Sequence, residues 1–213
     1  MLTDRLGRFF SRILDGIVDR LYRSGVHPNT VTAAGFVLNL GAAYLLAIGA
    51  FRWAALAILV ANVFDLLDGR LARLSGQVTP FGAFIDSTLD RYADFALLFA
   101  VGYYYARSRD LAVLIWVALA IVGALMTSYT RARAECIIPS CRVGFFERSE
   151  RLAVLIAGAL FHRMELALMI LAIFANWTAL QRIVYTYRAV HRTAVTEPGV
   201  EATRVAKPGG DHV

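Results

Sequence analysis

The chain is short of cysteine, proline, lysine and charge. It holds only 2 Cys and 5 Pro in 213 residues, too few for a disulfide-framed or collagen-like protein. Charged residues make up 18%, where a soluble domain of this length would carry about a quarter. Polar, charge-rich sequence that would keep most of the chain disordered is missing as well. No internal repeat and no separable second domain is visible. Against these absences stand 58% apolar residues and a mean hydropathy of +0.57. The chain is therefore expected to be an all-α integral membrane protein.

A transmembrane helix needs about 20 mostly apolar residues. Six spans are predicted, over residues 31–49, 53–74, 80–106, 111–130, 148–161 and 164–188. Of the 22 basic residues, 21 are Arg and one is Lys207, and seventeen fall at the same ends of these spans. By the positive-inside rule that side is cytoplasmic, which places both termini there and predicts a multi-pass protein of the cell membrane. The net charge of +6 thus belongs to a membrane surface, and no nucleic-acid partner is expected. Within the juxtamembrane segment 1–26, residues Leu2–Tyr22 are not expected to be a signal peptide, because Arg and Asp interrupt any apolar core. Leu6, Phe9, Phe10, Ile13, Leu14, Ile17 and Leu21 recur at three and four, as in an amphipathic helix lying in the cytoplasmic interface. Pro28 breaks it, and Asn29 or Thr30 is expected to cap the first span. Pro, Gly and polar residues over 193–213 predict a disordered cytoplasmic tail, leaving 1–192 as the membrane domain.

Five of the ten Asp (Asp65, Asp68, Asp86, Asp90 and Asp94) fall within thirty residues of otherwise apolar sequence. Each at membrane depth costs at least ~2.5–3.5 kcal/mol on insertion scales. Asp65 and Asp68 share one helix face, and Asp86 and Asp90 another. The first pair falls near the cytoplasmic end of span two. The second falls about two turns into span three, after a Thr79 cap and Pro80. Two antiparallel neighbours would point four carboxylates at one another. Such groups cannot all stay ionised without cations. Arg70, Arg73 and Arg91 would supply some. All-oxygen ligands favour Mg²⁺ or Mn²⁺ over Zn²⁺, and a bridged pair of ions suits displacement at phosphorus. Buried Asp–Arg pairs and an ion- or proton-conducting path are the competing readings.

The spacing Asp-x2-Asp-Gly-x2-Ala-Arg-x8-Gly-x3-Asp-x3-Asp, carried by Asp65, Asp68, Gly69, Ala72, Arg73, Gly82, Asp86 and Asp90, resembles the signature of the CDP-alcohol phosphotransferases. The resemblance implies attack of an acceptor hydroxyl on the β-phosphorus of a CDP-linked lipid (CDP-diacylglycerol or CDP-archaeol), with release of CMP. It implies that Asp65, Asp68, Asp86 and Asp90 hold two ions, Mg²⁺ or Mn²⁺, and that Asp90 is the catalytic base. Asp68, Gly69, Ala72, Arg73 and Gly82 would bind the CDP-lipid. A homodimer among membrane lipids is the expected assembly.

Asp94, the Arg-Ala-Arg-Ala-Glu stretch ending at Glu135, and the Glu-Arg-x-Glu-Arg stretch ending at Arg151 resemble the phosphatidylinositol phosphate and archaetidylinositol phosphate synthase branch. That branch uses inositol phosphate as acceptor. Arg131, Arg133, Arg151 and Arg188 would hold its phosphate, since guanidinium binds phosphate bidentately. Glycerol 3-phosphate, inositol and serine are the alternative acceptors, and a carboxylate-lined ion or proton transporter is the alternative class. The segment 136–146 is more apolar than the Gly-rich loop expected there. Cys136 and Cys141 lack the further ligands of a zinc site.

Overall fold

The computed structural model describes the backbone of residues 2–196 and the side chains of residues 11–191. Within these the chain is all-helical: α1 (Leu2–Arg23), α2 (Pro28–Ala47), α3 (Phe51–Leu74), α4 (Pro80–Arg107), α5 (Leu111–Glu135), α6 (Arg148–Leu160) and α7 (Met164–Thr196). Three are long and apolar enough to cross a membrane by length and composition: α2, α5 and the Met164–His191 part of α7. α7 runs to Thr196, past the expected start of the tail, and 197–213 lie outside the described residues.

Local chemistry sets the starts of the helices. Thr79 caps α4 by accepting from the Gly82 N–H at 3.0 Å, with Pro80 in the first turn, as its sequence predicts. Asp110 caps α5 in the same way, accepting from the Val113 N–H at 3.3 Å. The cap of α2 differs from expectation. His27 is the cap, its Nδ1 accepting from the Asn29 N–H at 3.2 Å. Pro28 occupies the first helical position, where its missing N–H costs nothing, so Asn29 and Thr30 lie inside the helix. Glu147 and Glu150 form a reciprocal capping box at the start of α6.

Packing relies on small residues, as in membrane bundles where apolar side chains gain little over lipid. α2 lies against both α3 and α4, which make little direct contact with each other. Gly35 lets α2 approach α3 beside the first carboxylate: a Cβ there would come 3.1 Å from Phe64 Cβ and 3.3 Å from Asp65 Oδ1. α5 lies along α7, where a Cβ on Gly123 would come 2.9 Å from Ala175 Cβ and 2.7 Å from Asn176 Nδ2. Thr127 Oγ1 donates across this contact to the Ala175 carbonyl at 2.9 Å. Large apolar side chains such as Trp53, Phe99, Ile115 and Ile173 point outward. Such a surface suits lipid better than water.

α1 docks on the end of α3 that carries the carboxylates. Leu14 and Val18 cluster with Val31, Leu67 and Leu71. Arg70 turns away from the carboxylates to pair with Asp15 at 2.6 Å. Ile13 and Ile17 stay exposed on α1.

Filling the α5–α7 contact should unfold this half first. Gly123→Val is expected to lose about 1–3 kcal/mol of stability through overpacking, read as a lower thermal midpoint in detergent. Gly41→Ala, whose added Cβ meets nothing within 4 Å, should match or slightly exceed the parent chain.

Candidate active site

The turn between α3 and α4 brings both halves of the spaced motif to one open cleft of about 740 Å³. Asp68, Gly69, Ala72 and Arg73 line it from α3, Gly82 and Asp86 from α4, and Thr32 from the first turns of α2. Asp68 is 6% exposed, and its Oδ2 is buried without a hydrogen-bond partner. An added Cβ at Gly69 would approach only the Arg73 guanidinium, at 3.8 Å. Small residues therefore leave the cleft wall open for a flat group to lie against the backbone.

The remaining carboxylates are met by a residue from a distant part of the chain. Arg148, at the first position of α6, places Nη1 2.7 Å from Asp65 Oδ2 and 2.9 Å from Asp90 Oδ1. Its Nε lies 3.3 Å from Asp94 Oδ1. Asp94 in turn accepts from Arg151 Nη2 at 2.7 Å. Arg148 and Arg151 share one face of α6, three residues apart, so a single helix start ties α3 to α4. The expected neutralisers behave otherwise. Arg70 pairs with α1, Arg73 faces the cleft, and Arg91 donates to the Ser87 carbonyl with Asp90 3.8 Å away.

A second, larger cleft of about 1580 Å³ opens on the other side of this line of ion pairs. Arg91, Arg131, Arg148, Arg151 and Arg182 line it, against Glu135 and Glu147. Of the four arginines assigned to the acceptor phosphate, Arg131 and Arg151 line this one cavity, while Arg133 and Arg188 are exposed and outside its lining. Two residues apart on a helix, Arg131 and Arg133 splay to different sides. Arg182 is the buried organiser that the sequence does not announce. Its Nε donates to the Val143 carbonyl at 2.8 Å, Nη1 to the Thr127 carbonyl at 2.6 Å, and Nη2 to Glu147 Oε1 at 3.0 Å. Glu147 also accepts from Arg131 Nη1 at 3.3 Å. The same side chain therefore positions Arg131 and begins α6.

The profile of the CDP-alcohol phosphatidyltransferase family matches residues 25–195. The chain belongs to that family. Membership makes it a membrane-associated transferase of phospholipid biosynthesis that depends on a divalent metal. It is 36% identical over 203 residues to a phosphatidylinositol phosphate synthase of Streptomyces avermitilis, covering 88% of this chain and 83% of that protein. It is 33% identical over 171 residues to an archaetidylinositol phosphate synthase of Pyrococcus horikoshii, covering 80% and 88%. Among solved structures it resembles the Mycobacterium tuberculosis phosphatidylinositol phosphate synthase with CDP-DAG bound, at 30% identity and a TM-score of 0.78 over 83% of this chain and 94% of that one. The same mycobacterial enzyme has been solved with manganese and citrate; that structure matches at 30% identity and a TM-score of 0.77, covering 82% and 88%.

Among the described residues, no three carboxylate, imidazole or thiol side chains are gathered closely enough to hold a metal ion. Arg148 holds Asp65 and Asp90 in this arrangement. The donors nonetheless fit a hard divalent ion, because they are all oxygen and Asp68 keeps a buried oxygen with no partner. A buried carboxylate left so must be neutralised, and a divalent ion with oxygen ligands would do so.

Arg182→Met should release the segment before α6. Two backbone carbonyls would lose a donor and Glu147 would keep only Arg131, an expected cost on the order of 2–4 kcal/mol. Thermal unfolding in detergent reads the loss, and faster amide exchange over 136–147 should accompany it. An unchanged midpoint would show that Arg182 clamps nothing.

Proposed function

We propose that the protein transfers the phosphatidyl group of CDP-diacylglycerol to inositol phosphate and releases CMP. The observation that carries this reading is a pair of clefts, one lined by Asp68 and Asp86 and the other by Arg148 and Arg151, which pair with Asp65, Asp90 and Asp94. One has open small-residue walls, and the other is lined by five Arg. CDP-diacylglycerol, or CDP-archaeol in an ether-lipid setting, lies in the first. Gly69, Ala72 and Gly82 flank its cytidine, Asp68 sits beside it, and Arg73 meets its phosphates. The acceptor enters the second, its phosphate held by Arg131 and Arg151. Each of these has donors to spare beyond its present carboxylate partners, Glu135 and Glu147 for Arg131 and Asp94 for Arg151. Arg133 and Arg188, outside the lining, add long-range attraction for the anion.

Asp65, Asp68, Asp86 and Asp90 hold two divalent ions, Mg²⁺ or Mn²⁺. When bound, these neutralise the diphosphate and the departing CMP. Asp90 takes the proton of the acceptor hydroxyl as its oxygen forms a bond to the β-phosphorus. The bond from that phosphorus to the bridging oxygen breaks, and its electron pair leaves with CMP. The relatives named as inositol phosphate lipid synthases support this acceptor over glycerol 3-phosphate, inositol or serine.

The chain is placed in the cell membrane with six spans, its site opening to the cytoplasm and α1 lying in the cytoplasmic interface. The positions of the Arg residues support that orientation, as do the exposed Ile13 and Ile17 of the docked α1. α6 has 13 residues, about 20 Å of helix against a core of about 30 Å. It begins at the depth of the carboxylates, and the segment before it, with Ile138, Cys141 and Phe146 buried, fills the remaining thickness. A homodimer, which the family resemblance suggests, and a tail beyond α7, read from its Pro, Gly and polar residues, complete the arrangement.

The test is CMP release by purified protein given CDP-diacylglycerol, Mg²⁺ or Mn²⁺, and a panel of acceptors. Inositol phosphate should be preferred, and Asp90→Asn should lower kcat by about 10²–10⁴-fold. Arg131→Ala or Arg151→Ala should raise KM for inositol phosphate about tenfold or more through loss of charged hydrogen bonds. Arg133→Ala should change it little. CMP release that prefers a phosphate-free alcohol would overturn the acceptor assignment.

A further inference from the structure

Arg148 stands between carboxylates that the proposed reaction needs for metal. One of its nitrogens bridges Asp65 on α3 and Asp90 on α4, at 2.7 and 2.9 Å. A divalent ion held by those oxygens would strongly repel a guanidinium bonded to the same oxygens, since like charges in direct contact in a poorly screened site are unfavourable. Both cations cannot keep that place. The arginine also has somewhere to go. Its Nε already lies 3.3 Å from Asp94, one turn further along α4, and Asp94 is held by Arg151 at 2.7 Å. Arg148 has room to turn, since its side chain is 21% exposed and lines the open second cleft, whereas Arg151 is 7% exposed and fixed.

We propose that Arg148 is a resident counter-ion of Asp65 and Asp90, released onto Asp94 when a divalent ion binds. Arg148 and Asp94 then set the metal affinity of the site without being metal ligands. The proposal rests on the reading of Asp65 and Asp90 as ligands. It gives Asp94, which lies outside the spaced motif, a task besides its pairing with Arg151. It also accounts for how facing carboxylates can pack together before metal arrives.

The test is a titration of the detergent-purified protein with Mn²⁺ alone, following free Mn²⁺ by electron paramagnetic resonance. Arg148→Met should bind Mn²⁺ at least about fivefold more tightly, because the competing cation is gone. Asp94→Asn should bind several-fold more weakly, because Arg148 loses its alternative partner. In the double variant the Asp94→Asn effect should vanish, since Asp94 acts only through Arg148. Equal or weaker binding by Arg148→Met overturns the proposal. So does an Asp94→Asn effect of equal size in both backgrounds, which would mark a direct charge effect. Should Arg148→Met not fold, Arg148→Lys keeps the charge but bridges fewer oxygens. It should tighten binding two- to threefold, and unchanged or weaker binding overturns the proposal equally. Absence of Mn²⁺ binding in both wild type and Arg148→Met would overturn the ligand assignment itself and this inference with it, whereas Mn²⁺ binding indifferent to Arg148 overturns this inference alone.

Discussion

Carboxylates packed among apolar helices have to be met by cations, and that demand reaches through much of this molecule. Asp65, Asp90 and Asp94 are met by Arg148 and Arg151. Both arginines must therefore project from the first turn of α6. The capping box of Glu147 and Glu150 fixes that turn, and Arg182 holds Glu147 from α7. The start of α6, the segment before it and the register of α7 are thus linked to charges on α3 and α4. A buried pair of this kind adds little net stability over apolar packing, yet removing one partner is expensive. The network therefore acts more as a specification of geometry than as a source of stability.

Packing supplies the space that the charges need. α2 contacts both α3 and α4, and Gly35 lets it draw close to Asp65. α3 and α4 can then stand apart at their carboxylate ends while remaining braced. Had the two packed directly, as a simple antiparallel pair would, their facing carboxylates would leave no open cleft between them. On the far side, the tight α5–α7 contact at Gly123 and Thr127 gives the second cleft a rigid wall. Small residues thus set both the closeness of the helices and the openness between them.

Features governed by local spacing were legible in the sequence. The carboxylate faces, the Thr79 cap and the single cleft shared by Asp68, Gly69, Ala72, Arg73 and Gly82 follow from helical periodicity and turn chemistry over a few residues. The neutralising residue was not, because Arg148 meets Asp65 across 83 positions of chain, and no local pattern orders such a choice among 21 Arg. Arg70 and Arg91, nearer in sequence, were the natural candidates. One turns to Asp15 on α1, and the other bonds the backbone of its own helix. The one available signal was the paired spacing of Arg148 and Arg151 after a Glu cap, which puts two cations on one face at a helix start. His27 as the cap of α2 was missed for a different reason. Imidazole is an uncommon cap, and Asn29 and Thr30 are favoured cap types lying just beyond it.

The partition of charge between the two clefts bears on how one site handles two anionic substrates. The first cleft offers Arg73 beside two Asp, and the second offers five Arg beside two Glu. An anion such as inositol phosphate finds complementary charge in the second without help. A diphosphate in the first would face carboxylates, and binds well only once they are neutralised. The difference orders the substrates by chemistry. In the proposed reaction the cleft assigned to the nucleotide depends on the occupancy of the carboxylates, while the cleft assigned to the acceptor depends on arginines that Asp94, Glu135 and Glu147 already hold in place. The line of ion pairs at Arg148 is therefore where the two dependences meet, and in the proposed reaction the acceptor hydroxyl would have to pass it to reach Asp90.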